Sequence, residues 1–262
     1  MDLNLNGKSA LVCGSSQGIG KAVAKELALL GASVTLFARN EQTLSQVKTE
    51  LDTSSGQNHK ILAADFSEPQ QVEDVIKAYL KHEPPIQILI NNTGGPAPGP
   101  AHLAKQDAYL AAFKLHLLTN QVLVQNLLPG MQASSYGRII NVISTSVKQP
   151  LDGLGVSNTI RGAVANWAKT LANELGVYGI TVNNVLPGAT QTARLQAILE
   201  SKAQKQGKPL PQLVEEEKSK IPLRCFGSAE DLGAAVGFLA SPAASYITGI
   251  NLPVDGGRTS SL

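Results

Sequence analysis

SALVCGSSQGIGKAVAKELALLG, Ser9 to Gly31, is the stretch from which the fold can be read. Ala10 to Cys13 is an apolar run of strand length. Gly14, Gly18 and Gly20 follow in the spacing G-x-x-x-G-x-G. Ile19, Val23, Leu27 and Leu30 then recur at helical spacing, and Gly31 stands where a helix ends on a residue of positive φ. Strand, glycine turn and helix in this order point a helix N-terminus and its backbone N–H groups at a pyrophosphate. Gly14 would permit the tight turn, Gly18 the approach of the phosphates, and Gly20 the packing of helix on strand. The alternative is a plain βα turn.

Composition sets the frame. The 262 residues are 43% hydrophobic and 16% charged, enough apolar chain for one large core and a single domain over 1–262. A net charge of +2 gives no electrostatic reason to expect nucleic acid or an acidic membrane surface. No apolar run reaches the roughly 20 residues a bilayer span needs, and no signal segment opens the chain, so a cytoplasmic location is expected. The only cysteines, Cys13 and Cys225, make no disulfide framework. His59, His82, His102 and His116 lack metal-ligand spacing, so no metal site is expected.

Further along, strands are predicted at Ser33–Phe37, His59–Ala64, Ile86–Ile90, Arg138–Ile143, Ile180–Leu186 and Ile250–Val254. Helices are predicted at Glu41–Leu51, Pro69–Leu80, Ala104–Leu128, Gly155–Gly176 and Glu230–Leu239. Alternating strands and helices imply an α/β fold, a doubly wound α/β/α sandwich of Rossmann type around a parallel sheet. Such sheets bind ligands beyond the carboxyl ends of their strands. Those ends carry Gly14, Arg39, Asp65, Asn91, Ser144 and Pro187. The Gly/Pro-rich stretch 94–100 suits a pocket rim. Residues 193–220 read either as a helical flap over the site or as a solvated insertion.

These residues resemble the short-chain dehydrogenase/reductase family over nearly the whole chain. Cys13-Gly14-Ser15-Ser16-Gln17-Gly18-Ile19-Gly20 is similar to its coenzyme motif, with cysteine for the usual threonine. Asn91-Asn92-Thr93-Gly94 is similar to its N-N-A-G segment, and Gly137 to Ser144 to the strand ending in the catalytic serine. Gly179 to Thr192 resembles the segment that closes on nicotinamide and pyrophosphate, through Pro187, Gly188, Thr190 and Thr192. The ending, Phe238 to Gly257, resembles the 3-oxoacyl-(acyl-carrier-protein) reductase branch. The resemblance implies NAD(P), a seven-stranded sheet, a small carbonyl or alcohol substrate and a homo-oligomer, either tetramer or dimer. It also implies that Asp65 and Phe66 border the coenzyme.

Two features of the residues sharpen this. An acid at the end of the second strand would hold the ribose 2′-hydroxyl of NAD. Ala38 and Arg39 stand there instead, and a guanidinium suits a 2′-phosphate, which favours NADP with NAD as the alternative. The family's Tyr lies 13 residues after its Ser and its Lys four further on; counting from Ser144 gives Ser157 and Arg161, and His116 falls where the family has Asn. An alkyl hydroxyl is far less acidic than a phenol, and Arg161 stays protonated, so it can anchor ribose hydroxyls but not shuttle protons. Three readings follow. Hydride transfer persists, with Ser144 on the carbonyl oxygen, Ser157 and water relaying the proton, and His116 as a candidate acid–base group. Alternatively the chain binds NADP without turnover as a sensor or interaction module, or runs a non-redox reaction at a carbonyl compound.

Overall fold

The computed structural model describes residues 1–261. Seven parallel strands form one sheet: β1 (Ser9–Cys13), β2 (Ser33–Ala38), β3 (Lys60–Ala63), β4 (Ile88–Asn91), β5 (Gly137–Val142), β6 (Ile180–Pro187) and β7 (Asn251–Val254). Their order is β3-β2-β1-β4-β5-β6-β7. The chain therefore reverses direction across the sheet between β1 and β4, the place where open α/β sheets form their ligand crevice. The predicted α/β/α sandwich is the observed fold.

Alternation along the strands sorts side chains into two layers. Ala10 and Val12 of β1 and Ile88 and Ile90 of β4 face one apolar cluster, whereas Leu11, Cys13 and Leu89 face the other. The first layer is covered by α1 (Gly18–Leu29), α2 (Glu41–Lys48) and α9 (Ala229–Ala240); the second by α3 (Pro69–Leu80), α5 (Thr119–Ala133) and α6 (Gly155–Leu175). Both faces of β5 are buried, as helices on both sides of a parallel sheet require. Helices α1 and α9 approach closely because α9 presents glycine: a Cβ on Gly237 would lie 2.9 Å from Glu26 Cγ.

Some predicted boundaries shift. α2 stops at Lys48, three residues early, where Thr49 caps it and turns its hydroxyl back to Gln46 O (2.7 Å). The helix expected to end at Leu128 instead runs through Pro129 to Ala133. Proline there lacks the amide that would bond one turn back. Burial of Leu127 and Met131 on either side of it keeps the segment helical. Upstream, α4 (Gln106–Phe113) joins α5 through a five-residue π-helical segment, Lys114–Leu118. Residues 193–220 form two helices, α7 (Ala193–Gln206) and α8 (Leu210–Ser219). These share a small core of Leu199, Ala203 and Leu213. No helix among the described residues is long and apolar enough to cross a membrane.

Candidate active site

The glycine turn has the geometry its sequence implies. Gly14 (φ +59°) and Gly18 (φ +54°) adopt left-handed backbone. A Cβ on Gly14 would sit 2.5 Å from Asn92 O, and one on Gly20 would strike the Gly14 carbonyl oxygen. Asn92 holds the turn by donating from Nδ2 to Cys13 O and Gly14 O (3.2 and 3.3 Å). Ser15 is fully buried, its Oγ accepting from Phe37 N at 2.9 Å, so it knits the turn to β2. Gln17 precedes α1 in extended conformation with no side-chain cap, leaving the first amides of the helix to a ligand. A Cβ on Gly18 would meet only the Thr192 side chain, in ordinary van der Waals contact (Cγ2 at 3.5 Å), so Thr192 faces the turn. A cradle with left-handed glycines and uncapped helix amides fits a pyrophosphate.

The other coenzyme candidates line the same edge. Arg39 is exposed at the end of β2 and, among the described residues, makes no ion pair within 4.0 Å. Asp65 accepts from Ser67 N and Oγ (2.9 and 2.8 Å), which with the nearby Arg39 charge holds its carboxyl below the usual range. Phe66 meets Phe37 edge-on at 4.8 Å between ring centroids. Asn91 Nδ2 donates to Asn141 Oδ1, Asn141 to Asn184 and Asn184 to Asn251 (2.8–2.9 Å), a ladder across four strands. Pro187 pairs with Val254 across β6 and β7, and Gly188 is forced by Asp255, whose Cα would lie 2.6 Å from a Cβ. Thr190 Oγ1 reaches Gly188 O (3.3 Å), and Thr192 caps α7 by accepting from Leu195 N. The loop after β4 is stitched to the start of α6 by Gly99 N to Gly153 O (2.6 Å) and Gly155 N to Gly99 O (2.9 Å). That stitching makes the stretch a rim.

Ser144, Ser157, Arg161 and His116 come from three elements. Ser144 follows β5, and its Oγ accepts from Ser146 N at 3.1 Å, leaving its proton uncommitted. Ser157 and Arg161 lie one turn apart on α6, both buried. Ser157 Oγ has no hydrogen-bond partner among the described residues. Arg161 Nη1 donates to Val142 O (3.0 Å), which anchors the guanidinium two residues before Ser144. Burial first, and then the charge of Arg194, bring its pKa down to about 10, so it stays cationic at neutral pH. Packing of Val156 and Ile160 against Ala112, and of Ile143 and Val164 against Leu117, brings α6 and the β5 end onto the helix that carries His116.

His116 sits at the centre of the π-helical segment, where the extra residue per turn swings a side chain off the helix line. It is 2% exposed; Nδ1 lies 2.7 Å from Thr93 Oγ1, and Nε2 is buried without a partner. Burial, aided by the Arg161 and Arg194 charges, pushes its pKa down to about 2. The ring is therefore neutral at physiological pH. As a neutral ring it offers a fixed donor or acceptor at this position, not an imidazolium.

Sequence reasoning passed over five residues in three places. Asn92 was quoted only as part of a motif, although the hinge of the glycine turn rests on it. The register partners of Asn91 could have been found, since Asn141, Asn184 and Asn251 are each a polar residue inside an apolar strand. Arg194 is the third. It begins α7 and donates from Nη1 to Gly95 O (2.9 Å) and from Nη2 to Pro96 O (3.3 Å). Nothing in its local sequence pairs it with residues 99 positions away.

The switch-point cradle and the polar corner beside it define an NAD(P)-dependent oxidoreductase of Rossmann type. A family model described as enoyl-(acyl carrier protein) reductase matches residues 14–259. The chain is 34% identical over 257 residues to 3-oxoacyl-(acyl-carrier-protein) reductase FabG of Vibrio cholerae, covering 97% of this chain and 98% of that one. It is 30% identical over 256 residues to the NADPH-dependent reductase BacG of Bacillus subtilis, covering 97% and 99%. Among solved structures, L-sorbose reductase from Gluconobacter frateurii, complexed with NADPH and L-sorbose, superposes with a TM-score of 0.93 at 29% identity, covering both chains fully. The protein belongs to the short-chain dehydrogenase/reductase family.

Proposed function

We propose that the protein is an NADP-dependent oxidoreductase that interconverts a carbonyl and a hydroxyl on a small molecule, a 3-oxoacyl thioester-like compound or another ketone. The observation that carries this reading is the placement of uncommitted hydroxyl donors, Ser144 and Ser157, beside the coenzyme cradle on one sheet edge. The bound coenzyme supplies or accepts the hydride. Gly14, Ser15, Ser16, Gln17, Gly18, Ile19 and Gly20 form its phosphate cradle, with Asp65, Phe66, Asn91, Thr93, Gly94, Pro187, Gly188, Thr190 and Thr192 along its length. Arg39 takes the 2′-phosphate, since it is an exposed guanidinium without an ion pair among the described residues and no acid follows β2 in the chain before Glu41. Two of the relatives, BacG and the sorbose reductase complex, are described with NADPH.

Ser144 uses its free O–H to hydrogen-bond the carbonyl oxygen while its own oxygen accepts from Ser146 N, and the proton that completes the hydroxyl is relayed from solvent by Ser157 and a water. Ser157, shorter than a tyrosine by a ring, reaches the oxygen through a water. Arg161 favours the negative charge that develops there, at low dielectric and in fixed orientation. The 193–220 pair of helices closes the site as a flap. The chain assembles as a homo-oligomer through the exposed apolar residues Leu103, Leu110, Phe113 and Leu118; sedimentation velocity measures this directly. The reaction is tested by following NADPH absorbance with keto-thioesters, ketones and aldehydes, and the reverse with the alcohols. Tight NADPH binding with no turnover of any of them would overturn the reading.

A further inference from the structure

The corner around His116 collects positive charge and buried donor capacity with nothing to receive them. Arg161 and Arg194 approach it from α6 and α7. Among the described residues, neither forms an ion pair within 4.0 Å. Each is tied only to backbone carbonyls: Val142 O for Arg161, Gly95 O and Pro96 O for Arg194. His116 Nε2, in the field of both, is fully buried and unpartnered. One loop organises the group, because Thr93 holds the imidazole and Gly95, two residues on, holds the Arg194 guanidinium. The fit there is close: a Cβ on Gly95 would lie 2.6 Å from Arg194 Nη2.

His116 Nε2 and the Arg161 guanidinium are buried, and such groups are costly unless a ligand meets them; Arg194, exposed at the mouth, adds its charge from the solvent side. An anion is the missing partner. The coenzyme pyrophosphate is one source, and Thr192 of its cradle is only two residues from Arg194; the guanidinium itself lies on Gly95 O and Pro96 O, past the Asn91–Gly94 segment, and NADPH affinity in an Arg194 variant separates the two sources. We propose that the substrate is an oxo acid, or the corresponding hydroxy acid, whose carboxylate is held by Arg194 and by His116 Nε2–H. A guanidinium carries five N–H donors, and two carbonyl contacts leave an edge for a carboxylate. Thr93 then donates its hydroxyl to His116 Nδ1, which leaves the imidazole proton on Nε2. Arg194 starts the first helix of the 193–220 pair, so the acid group and that helix become coupled: bound carboxylate fixes the N-terminus of α7 over the site. This rests on the oxidoreductase reading and narrows its ketone to an anionic one.

The test compares 2-, 3- and 4-oxopentanoate with their methyl esters as substrates of the full chain with NADPH, in wild type, Arg194→Gln and Arg194→Lys. Acids are expected to exceed their esters in kcat/KM, and Arg194→Gln to lower the acid value about 30–100-fold, chiefly through KM. The esters should change less than about threefold and the NADPH dissociation constant should hold, while Arg194→Lys recovers part of the loss. Esters reduced as well as acids, equal losses on both, or weakened NADPH binding in Arg194→Gln would overturn the assignment. A second arm needs no turnover: pentanoate and pentanamide are titrated calorimetrically into the NADP-saturated protein. Pentanoate binding that Arg194→Gln abolishes supports the carboxylate site even if no carbonyl is reduced, an outcome that sinks the oxidoreductase reading alone. No preference for pentanoate over pentanamide sinks the carboxylate site alone.

Discussion

The two ends of the binding edge are built on different principles. At the β1–α1 turn, backbone meets backbone: Gly14 against Asn92, Gly20 against the Gly14 carbonyl. No larger residue fits, so the turn is defined by what it lacks. At the α6–π-segment end, side chains from three elements meet around Arg161 and His116, each held by a single anchoring contact. The backbone end admits one solution, whereas the side-chain end tolerates exchange, and there Ser157, Arg161 and His116 stand where the family resemblance implies Tyr, Lys and Asn. A nucleotide cradle can thus be kept while the chemistry beside it is changed.

The contrast breaks first at Gly20. Gly20→Ala places a methyl on the Gly14 carbonyl in a packed interior, which costs about 3 kcal/mol. A fall of several degrees in Tm together with loss of NADPH binding is expected in a thermal-shift titration; an unchanged Tm would show that the turn can yield. At the other end, Arg161→Ala should leave Tm closer to wild type yet lower kcat by about 100-fold, since it removes fixed positive charge near the reacting oxygen. Val142 O loses its donor as well, so Arg161→Lys is the control: it restores a cation, and a rate no better than that of the alanine variant would assign Arg161 to structure.

Between these ends lies Arg39, exposed and without an ion pair among the described residues. Arg39→Asp should weaken NADPH about 30-fold and leave NADH equal or tighter, because a carboxylate repels the 2′-phosphate and accepts from a ribose hydroxyl. Fluorescence titration of both coenzymes reads the ratio. An unchanged ratio would take Arg39 out of the coenzyme site.

The same division explains what could be read before the fold was seen. Apolar runs of strand length placed the strands, and the glycine spacing placed the cradle, because a strand buried on both faces and a tight turn each show in consecutive residues. Boundaries slipped where tertiary packing overrode a local signal, as at Pro129, buried flanks keeping a helix that proline alone would end. The π segment left no mark in Lys114 to Leu118, since its widening is set by the fit of His116 against Thr93 and of Thr119 Oγ1 against Phe66 O (2.8 Å). Counting from Ser144 identified Ser157 and Arg161, for one helix fixes their spacing. Arg194 stayed hidden because its partners, Gly95 and Pro96, offer only carbonyl oxygens, which every residue has.

His116 gives the mildest effect and the one that most sharpens the contrast. Folding buries a neutral imidazole whose pKa is driven to about 2, foremost by burial and then by Arg161 and Arg194. In the unfolded chain the same group titrates near 6.5. Its contribution is therefore fully present above pH 6.5 and is lost as pH falls toward the folded value, because the unfolded state then binds a proton that the folded state refuses. The slope is about 1.4 kcal/mol per pH unit below 6.5 for one such group. His116→Asn removes it while keeping a polar side chain near Thr93, whereas carboxylates such as Asp65 act alike in both proteins. Urea denaturation at pH 7.5 and 5.5 should show wild type losing about 1 kcal/mol more than His116→Asn over that interval. Equal losses would mean that the imidazole is reached by water or by a proton in the native state. The corner between Arg161 and Arg194 would then be an open, solvated basin, unlike the closed backbone packing around Gly14 and Gly20.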